Sequence, residues 1–276
     1  MSGRISLSIE GGVAHVRLNR ADKMNALDDA MFEALIETGD GLANEKGLRA
    51  VVISGEGRAF CAGLDMGNFG KMAAPGDAAK EGGGKTGSGI TGRLEKRSHG
   101  IANRPQHAVW VWRELPVPVI AAVHGVAYGG GFQLMLGADM RYVAPDTKLS
   151  IMEIKWGLVP DMAGTQIMRH LAREDIVREL TYTGRVFTGE EAGRIGFATR
   201  VTATPLEEAL ATAREIAGKS PDAIRASKRI LNAAPVTDPA SGLLSESVEQ
   251  DRLIGSPNQI EAVMSNLEKR AANYRD

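Results

Sequence analysis

Residues 118–145 read PVIAAVHGVAYGGGFQLMLGADMRYVAP, and this stretch decides the fold. Its first part, which Pro118 introduces, is an apolar run typical of a buried strand. Gly129, Gly130 and Gly131 then let the backbone approach another group closely, and the apolar run after them predicts a helix held in the core. Free amides at the start of such a helix favour negative charge.

Strands and helices alternate on both sides of this stretch. Residues 4–20 predict a β-hairpin that turns at Gly11 and Gly12, residues 28–44 an amphipathic helix, and residues 48–54 a short buried strand. We therefore predict an α/β core over residues 1–200, in which a strand–strand–helix grouping recurs. Residues 201–276 predict a helical C-terminal region, with one helix beginning at Pro205 and others over 221–234, 240–254 and 257–274.

The composition is that of an ordinary soluble globular protein, with 276 residues, 43% hydrophobic and 24% charged. A formal net charge of −1 argues against a nucleic-acid partner. No apolar run reaches the roughly 18 to 20 residues that a membrane span needs. The single cysteine, Cys61, excludes an intrachain disulfide. Because the N-terminus shows no signal-like segment, we expect a soluble, cytoplasmic protein.

Several common cofactor and catalytic motifs are missing from the sequence. The segment GGGKT at 82–86 lacks the earlier glycine and the preceding strand of a phosphate loop, and no Gly-x-Ser-x-Gly elbow occurs. The five histidines have no metal-ligand spacing. We expect no metal, nucleotide or redox cofactor, and we expect the glycine-rich residues 70–92 to form a mobile loop over one face of the core.

Five segments in a fixed order make the sequence recognisable. They are VRLNRADKMNAL (16–27), RAVVISGEGRAFCAGLDM (49–66), residues 118–145, SIMEIKWGLVPDMAGTQIMRHL (150–171) and TGEEAGRIGFATRV (188–201). Over nearly its whole length the chain resembles the enoyl-CoA hydratase/isomerase (crotonase) superfamily. The resemblance implies a crotonase (ClpP-like) fold, a spiral of strand–strand–helix repeats with a C-terminal helical trimerisation region. It also implies homotrimers, often paired into hexamers.

The resemblance further implies an acyl-CoA thioester as substrate, so that coenzyme A enters as part of the substrate. The thioester oxygen would lie between the backbone amides of Cys61 and Gly130, an arrangement known as an oxyanion hole. Cys61 would contribute its amide rather than its thiol. The residues that match the family's CoA-binding positions are Lys23, Ala26, Cys61, Ala62, Gly63, Leu64, Asp65 and Gly130.

The acidic residues bear on the reaction type. Hydratases of the superfamily use two glutamates, and this chain has Gln133 at the first position and Glu153 at the second. Apolar neighbours predict that Glu153 is buried in a strand, with a raised pKa. Gln133 would orient a group or a water, since an amide cannot cycle a proton. Asp161 is either a helix N-cap or a second acid, as in dienoyl-CoA isomerases.

These residues favour moving a proton over adding water. We expect an enoyl-CoA double-bond isomerase with Glu153 as acid/base, and with Asp161 as a further candidate. A hydratase that uses Asp161 as its second acid is the alternative, and a non-catalytic acyl-CoA-binding protein is a third possibility. A buried carboxyl without a role is costly, which argues against the third. Residues 93–112 and the glycine-rich loop would line the acyl pocket, although a core helix explains Val109–Trp112 equally well.

Overall fold

A computed structural model describes residues 3–68 and 94–276 of the chain. The glycine-rich segment 70–92, for which we predicted a mobile loop, lies outside the described residues. None of the helices in the described ranges is long and apolar enough to cross a lipid bilayer.

Nine strands form two sheets. The larger sheet has the order β1–β2–β3–β4–β6–β9; β1 and β2 pair antiparallel and the other neighbours are parallel. The smaller sheet has the order β5–β7–β8. The strands are β1 Ile5–Glu10, β2 Val13–Leu18, β3 Ala50–Gly55, β4 Val119–Val123, β5 Val126–Tyr128, β6 Met140–Val143, β7 Lys148–Ser150, β8 Phe187–Thr188 and β9 Arg200–Val201.

The helices follow the predicted α/β order in the first two thirds of the chain and dominate the last third. They are α1 Asp29–Ala43, α2 Arg104–Glu114, α3 Gly130–Leu136, α4 Gly164–Met168, α5 Glu174–Thr183, α6 Gly189–Ile195, α7 Pro205–Ala217, α8 Pro221–Ala233, α9 Pro239–Leu253 and α10 Pro257–Leu267. Short 3-10 turns cover Ala21–Lys23, Glu153–Trp156 and Ala234–Val236.

Both faces of the larger sheet are buried. Val51, Ile53 and Ala121 belong to the main core, together with helices α1, α2 and α3. Their alternating neighbours Val52 and Ile120 belong to a second core on the opposite face. A parallel sheet that is covered on both sides explains why its strands are continuous apolar runs in the sequence.

Helix α7 covers that second face, where Ala209 and Ala213 pack against β3 and β4. The helix therefore belongs to the α/β layers, although it lies beyond the boundary predicted at residue 200. The helix predicted over 257–274 is too long, because α10 ends at Leu267 and Lys269 has a φ of 54°. The last residues then turn back, and the Arg275 amide donates to Asn258 Oδ1 at 2.9 Å.

Lys228 fastens α8 to the core. Its Nζ donates to the Val117 carbonyl at 2.8 Å, to the Asp139 carboxylate at 2.8 Å and to the Trp112 carbonyl at 3.4 Å. The side chain is 7% exposed. Burial lowers the pKa of Lys228, and the Asp139 charge opposes that shift. The three contacts compensate an ammonium group that would be unfavourable in the core without them.

We expect Lys228→Ala to lower the free energy of unfolding by about 3–5 kcal/mol, because it leaves buried oxygens and the Asp139 charge without their partner. The matched control is Lys219→Ala, since Lys219 is exposed and only 3.6 Å from Glu215. It should change the stability by less than about 0.5 kcal/mol. Urea denaturation measures both, and equal effects would contradict this role of Lys228.

Candidate active site

The glycines that open α3 are surrounded on all sides. A Cβ on Gly129 would lie 3.4 Å from Glu153 Oε1, and one on Gly130 would lie 2.8 Å from Met162 Sδ. A Cβ on Gly131 would overlap the carbonyl oxygen of Cys61. Gly129 also has a φ of 50°, which is unfavourable for other residues. The three glycines thus let a carboxyl group and a second backbone turn approach the start of the helix.

That second turn covers residues 61–65. Cys61 pairs with Ala127 as an isolated β-bridge, in which the Cys61 amide donates to the Val126 carbonyl at 3.0 Å. The Tyr128 amide donates back to the Cys61 carbonyl at 3.1 Å. The prediction that the Cys61 amide binds the thioester oxygen is therefore wrong, because this N–H is already used. No local sequence pattern signals a pairing between such distant residues.

The structure offers Leu64 instead. Leu27 bonds to both neighbours of Leu64: its amide donates to the Gly63 carbonyl at 2.8 Å, and its carbonyl accepts from the Asp65 amide at 3.0 Å. In such a bridge, the N–H of the residue between the two bonded neighbours points the other way. Within residues 3–68 and 94–276, the Leu64 amide has no acceptor.

The Gly130 amide is the second donor. Gly130 is the first residue of α3, so its N–H has no acceptor inside the helix. A Cβ on Gly63 would lie 3.6 Å from the Gly130 nitrogen, which places the 61–65 turn directly beside the start of α3. Two free amides, reinforced by the helix dipole, can stabilise an oxygen that gains negative charge. The predicted role of Gly130 thus fits the geometry.

Glu153 provides the carboxyl group of the site. It begins a 3-10 turn rather than lying in the predicted strand. Its residue is 8% exposed, whereas Ile154 and Trp156 are 46% and 40% exposed. The burial comes from the Gly129 turn and Gln133, and not from those two apolar neighbours. Burial raises the pKa of Glu153, as does the Asp161 charge, and the hydrogen bond from Gln133 partly opposes the shift.

Gln133 is fully buried and fixed at both ends of its amide. Its Nε2 donates to Glu153 Oε1 at 2.6 Å. Its Oε1 accepts from the backbone amides of Met162, at 2.8 Å, and Gly164, at 3.0 Å. The two backbone donors define which end of the amide carries the oxygen. Glu153 Oε2 is buried without a partner among the described residues, and this oxygen is free to take a proton.

Asp161 lies near Glu153, as the effect of its charge on the Glu153 pKa shows. Burial raises the pKa of Asp161 as well. Helix α4 begins only at Gly164, with Ala163 at its N-cap position and no capping side chain. The interpretation of Asp161 as a helix cap is therefore wrong. Its carboxyl group belongs to the neighbourhood of Glu153.

A family model described as "Enoyl-CoA hydratase/isomerase" matches residues 13–276. The chain belongs to this family. It is 29% identical over 271 residues to the mitochondrial methylglutaconyl-CoA hydratase of Mus musculus, which covers 96% of this chain and 80% of that protein. It is 34% identical over 225 residues to the mitochondrial Delta(3,5)-Delta(2,4)-dienoyl-CoA isomerase of Homo sapiens, which covers 80% of this chain and 66% of that protein.

Solved structures confirm the crotonase fold that the sequence predicted. The enoyl-CoA hydratase from Bacillus anthracis has a TM-score of 0.83 and 27% identity, over 98% of each chain. A putative enoyl-CoA hydratase from Streptomyces coelicolor A3(2) has a TM-score of 0.84 and 27% identity, over 100% of this chain and 95% of that one.

The predicted CoA-binding residues of this enoyl-CoA hydratase/isomerase family member come together in two adjoining segments. The Ala62 amide donates to the Met24 carbonyl at 2.9 Å, which joins the loop of Lys23 and Ala26 to the 61–65 turn. The side chain of Asp65 is already occupied, because it accepts from Arg20 at 2.6 Å and from the Gly67 amide at 2.7 Å. Its carboxylate would also repel CoA phosphates, so its predicted role as a CoA ligand does not fit.

The aromatic residues of α2 belong to the core. Val109 and Trp112 are fully buried, and Trp112 Nε1 donates to the Ala108 carbonyl at 2.9 Å. Of the two interpretations of Val109–Trp112, the structure supports the core helix rather than a wall of the acyl pocket.

Cys61 should be chemically inert in the folded family member. Its thiol is fully buried and donates to the Asn25 carbonyl at 3.1 Å, and burial raises its pKa to about 12. Thiolates react with disulfide reagents and thiols do not. We expect no labelling of the native protein by an aromatic disulfide at pH 8 and complete labelling in denaturant, followed by absorbance. Rapid labelling of the native state would contradict this geometry.

Proposed function

We propose that this chain is an enoyl-CoA isomerase, which moves a double bond along the acyl chain of a CoA thioester. The observation that carries the proposal is the set of hydrogen bonds at Gln133. This amide holds one oxygen of Glu153 and is itself held by two backbone amides, which leaves one carboxyl oxygen for chemistry. One carboxyl group that accepts and returns a proton is sufficient for isomerisation.

In the proposed reaction, the thioester oxygen accepts hydrogen bonds from the amides of Leu64 and Gly130. Glu153 Oε2 removes a proton from the α-carbon of a 3-enoyl-CoA, and the electrons move through the former double bond to form a dienolate. The same proton, or one exchanged with solvent, then returns to the γ-carbon to give the 2-enoyl-CoA. Removing one oxyanion donor typically costs about a hundred- to a thousandfold in rate, and acid–base help contributes about a hundred- to ten-thousandfold.

The electrostatics of Glu153 suit such a shuttle. Burial raises its pKa, which makes the carboxylate a stronger base than an exposed glutamate. The hydrogen bond from Gln133 stabilises the carboxylate and limits the shift. A moderately raised pKa lets the same group accept a proton and release it again. The reaction is redox-neutral and the enolate charge rests on backbone amides, so we propose that coenzyme A enters only as part of the substrate.

A hydratase is the second candidate, and Asp161 is the observation that favours it. Hydration needs one group to deprotonate a water and another to supply a proton to carbon. Gln133 cannot supply a proton, and its oxygen is already bound by two amides. Asp161 is near Glu153 and has a raised pKa, so a hydratase would have to use it as the second acid.

We also propose that the chain forms a homotrimer, or a pair of trimers, through its C-terminal helices. Exposed apolar residues recur on α8, α9 and α10, at a density that monomers usually avoid. They are Leu231, Leu243, Leu244, Val248, Ile260, Val263, Met264 and Leu267.

Incubation with 3-enoyl-CoA in deuterated water tests the reaction directly. We expect the wild type to give 2-enoyl-CoA that carries deuterium, and Glu153→Gln to reduce the rate at least about a hundredfold because the shuttle is lost. Asp161→Asn should reduce the rate by less than about tenfold if one carboxyl group is sufficient. Mass spectrometry and NMR measure the products.

The same incubation with 2-enoyl-CoA distinguishes the two candidates. A 3-hydroxyacyl-CoA product that disappears in both variants would identify a hydratase and refute the isomerase. Binding of acyl-CoA without any turnover would refute both.

Gln133→Met should move the acid limb of the pH profile. Glu153 acts first as a base, so kcat/KM falls as the pH drops through its pKa. The variant loses the hydrogen bond that lowers this pKa, so the pKa rises and the fall begins at a higher pH. Gln166→Met is the matched control because Gln166 is exposed, and it should leave the profile unchanged. An unshifted limb in Gln133→Met would contradict the role of Gln133.

A further inference from the structure

Alternating charges connect the Leu64 turn to the start of the chain. Arg20 Nη1 donates to Asp65 Oδ2 at 2.6 Å and lies 3.6 Å from Asp28 Oδ2. Asp28 also pairs with Arg4 at 2.6 Å and caps α1 by accepting from the Met31 amide at 2.9 Å. Arg20 and Asp65 are 12% and 20% exposed, so water screens this pair less than an ordinary surface pair.

Asp65 is held at three points, and it directly follows Leu64. Its Oδ2 accepts from Arg20, and its Oδ1 accepts from the Gly67 amide at 2.7 Å. Its own amide donates to the Leu27 carbonyl at 3.0 Å. With both carboxyl oxygens and the amide bound, the peptide between Leu64 and Asp65 has little freedom to rotate. The orientation of the neighbouring Leu64 N–H therefore depends on these contacts.

Arg20 in turn belongs to a loop with a fixed shape. Its amide donates to Asn25 Oδ1 at 2.8 Å, and its Nη1 donates to the Ala26 carbonyl at 3.0 Å. Asn25 Nδ2 donates to the carbonyls of Glu56, at 3.0 Å, and Ala59, at 2.8 Å. Asn25 is fully buried and has a φ of 55°. Such a conformation costs about 1–3 kcal/mol and persists only where the surroundings hold it.

We propose that Arg20 and Asp65 are positioning residues for the Leu64 amide. Their ion pair holds this N–H at a fixed place beside the Gly130 N–H, so that both meet the oxygen of the enolate. The inference rests on the proposed function, because it takes these amides as the oxyanion donors. A displacement of about 1 Å at a reacting group can cost about a hundredfold in rate. Because the oxygen gains charge as the enolate forms, the pair acts on the transition state more than on CoA binding.

Two other roles for the pair predict different behaviour. A pair that only stabilises the fold would change the thermal midpoint without changing the preference for an enolate. A pair that binds CoA would weaken all CoA ligands equally. The comparison of two ligands in one variant therefore separates positioning from both alternatives.

The experiment uses Asp65→Asn and Arg20→Lys in the full chain. Butyryl-CoA probes binding of a neutral thioester, and acetoacetyl-CoA probes the enolate, whose formation is followed by its near-ultraviolet absorbance. For Asp65→Asn we expect about a hundredfold loss of kcat and of enolate affinity, with the Kd of butyryl-CoA unchanged within about twofold. Arg20→Lys keeps the charge but loses the planar fork, so it should fall between Asp65→Asn and the wild type.

Arg17→Gln is the matched control. Arg17 pairs with Glu56 at 3.4 Å in a neighbouring but more exposed position, with side chains 32% and 47% exposed. It should leave both ligand affinities and kcat unchanged. Asp65→Asn values that match this control, or a parallel loss of butyryl-CoA and enolate binding, would overturn the positioning role.

The wild type separates this inference from the proposed function. A wild type that binds the enolate no better than butyryl-CoA would overturn the oxyanion site and this inference together. A wild type that prefers the enolate but does not isomerise 3-enoyl-CoA would overturn only the isomerase. The variant comparison would still decide the role of Arg20 and Asp65, because the enolate measurement needs no turnover.

Discussion

The backbone pairing of Cys61 with Ala127 is the contact on which the site depends. It places the 61–65 turn against the start of α3, and Gly131 allows this approach because any side chain there would overlap the Cys61 carbonyl. The pairing uses the Cys61 amide and leaves those of Leu64 and Gly130 without acceptors among the described residues. Two free amides from distant parts of the chain thus meet at one point, which is the arrangement that stabilises an oxyanion.

Gln133 determines what the carboxyl group beside that point can do. An amide whose two ends are bound to Glu153 and to the backbone around Met162 is a rigid support. It keeps one oxygen of Glu153 occupied and the other buried and free. The same contacts tie Glu153 to the segment that carries Asp161, so the two carboxyl groups remain neighbours. The chemistry of this family member therefore centres on one supported glutamate and not on a symmetric pair of acids.

Much of the fold could be predicted because its signals are local. Gly11 and Gly12 mark the first hairpin, and both have positive φ angles in the structure, 56° and 78°. Asp28 was placed at the start of the first helix, where its side chain accepts from the Met31 amide. The end of α10 was missed, since Leu267 carries no glycine or proline signal. Helix α7 looked separate from the core because the sequence does not show which sheet face lacks a cover.

The site was predicted less completely, because its geometry depends on long-range contacts. The family resemblance placed Gly130, Gln133 and Glu153 in the site, and the structure brings all three together. It placed the second oxyanion amide at Cys61, since nothing in the local sequence shows that this amide pairs with Val126. Glu153 in a 3-10 turn was missed for a related reason, because the apolar run around it also fits a strand. A crystal structure with bound 3-enoyl-CoA tests the account most directly: it predicts the thioester oxygen within about 3.1 Å of the Leu64 and Gly130 nitrogens, with Glu153 Oε2 facing the α-carbon. A thioester oxygen bound elsewhere, or a water held between Glu153 and Asp161 and aimed at the β-carbon, would contradict it.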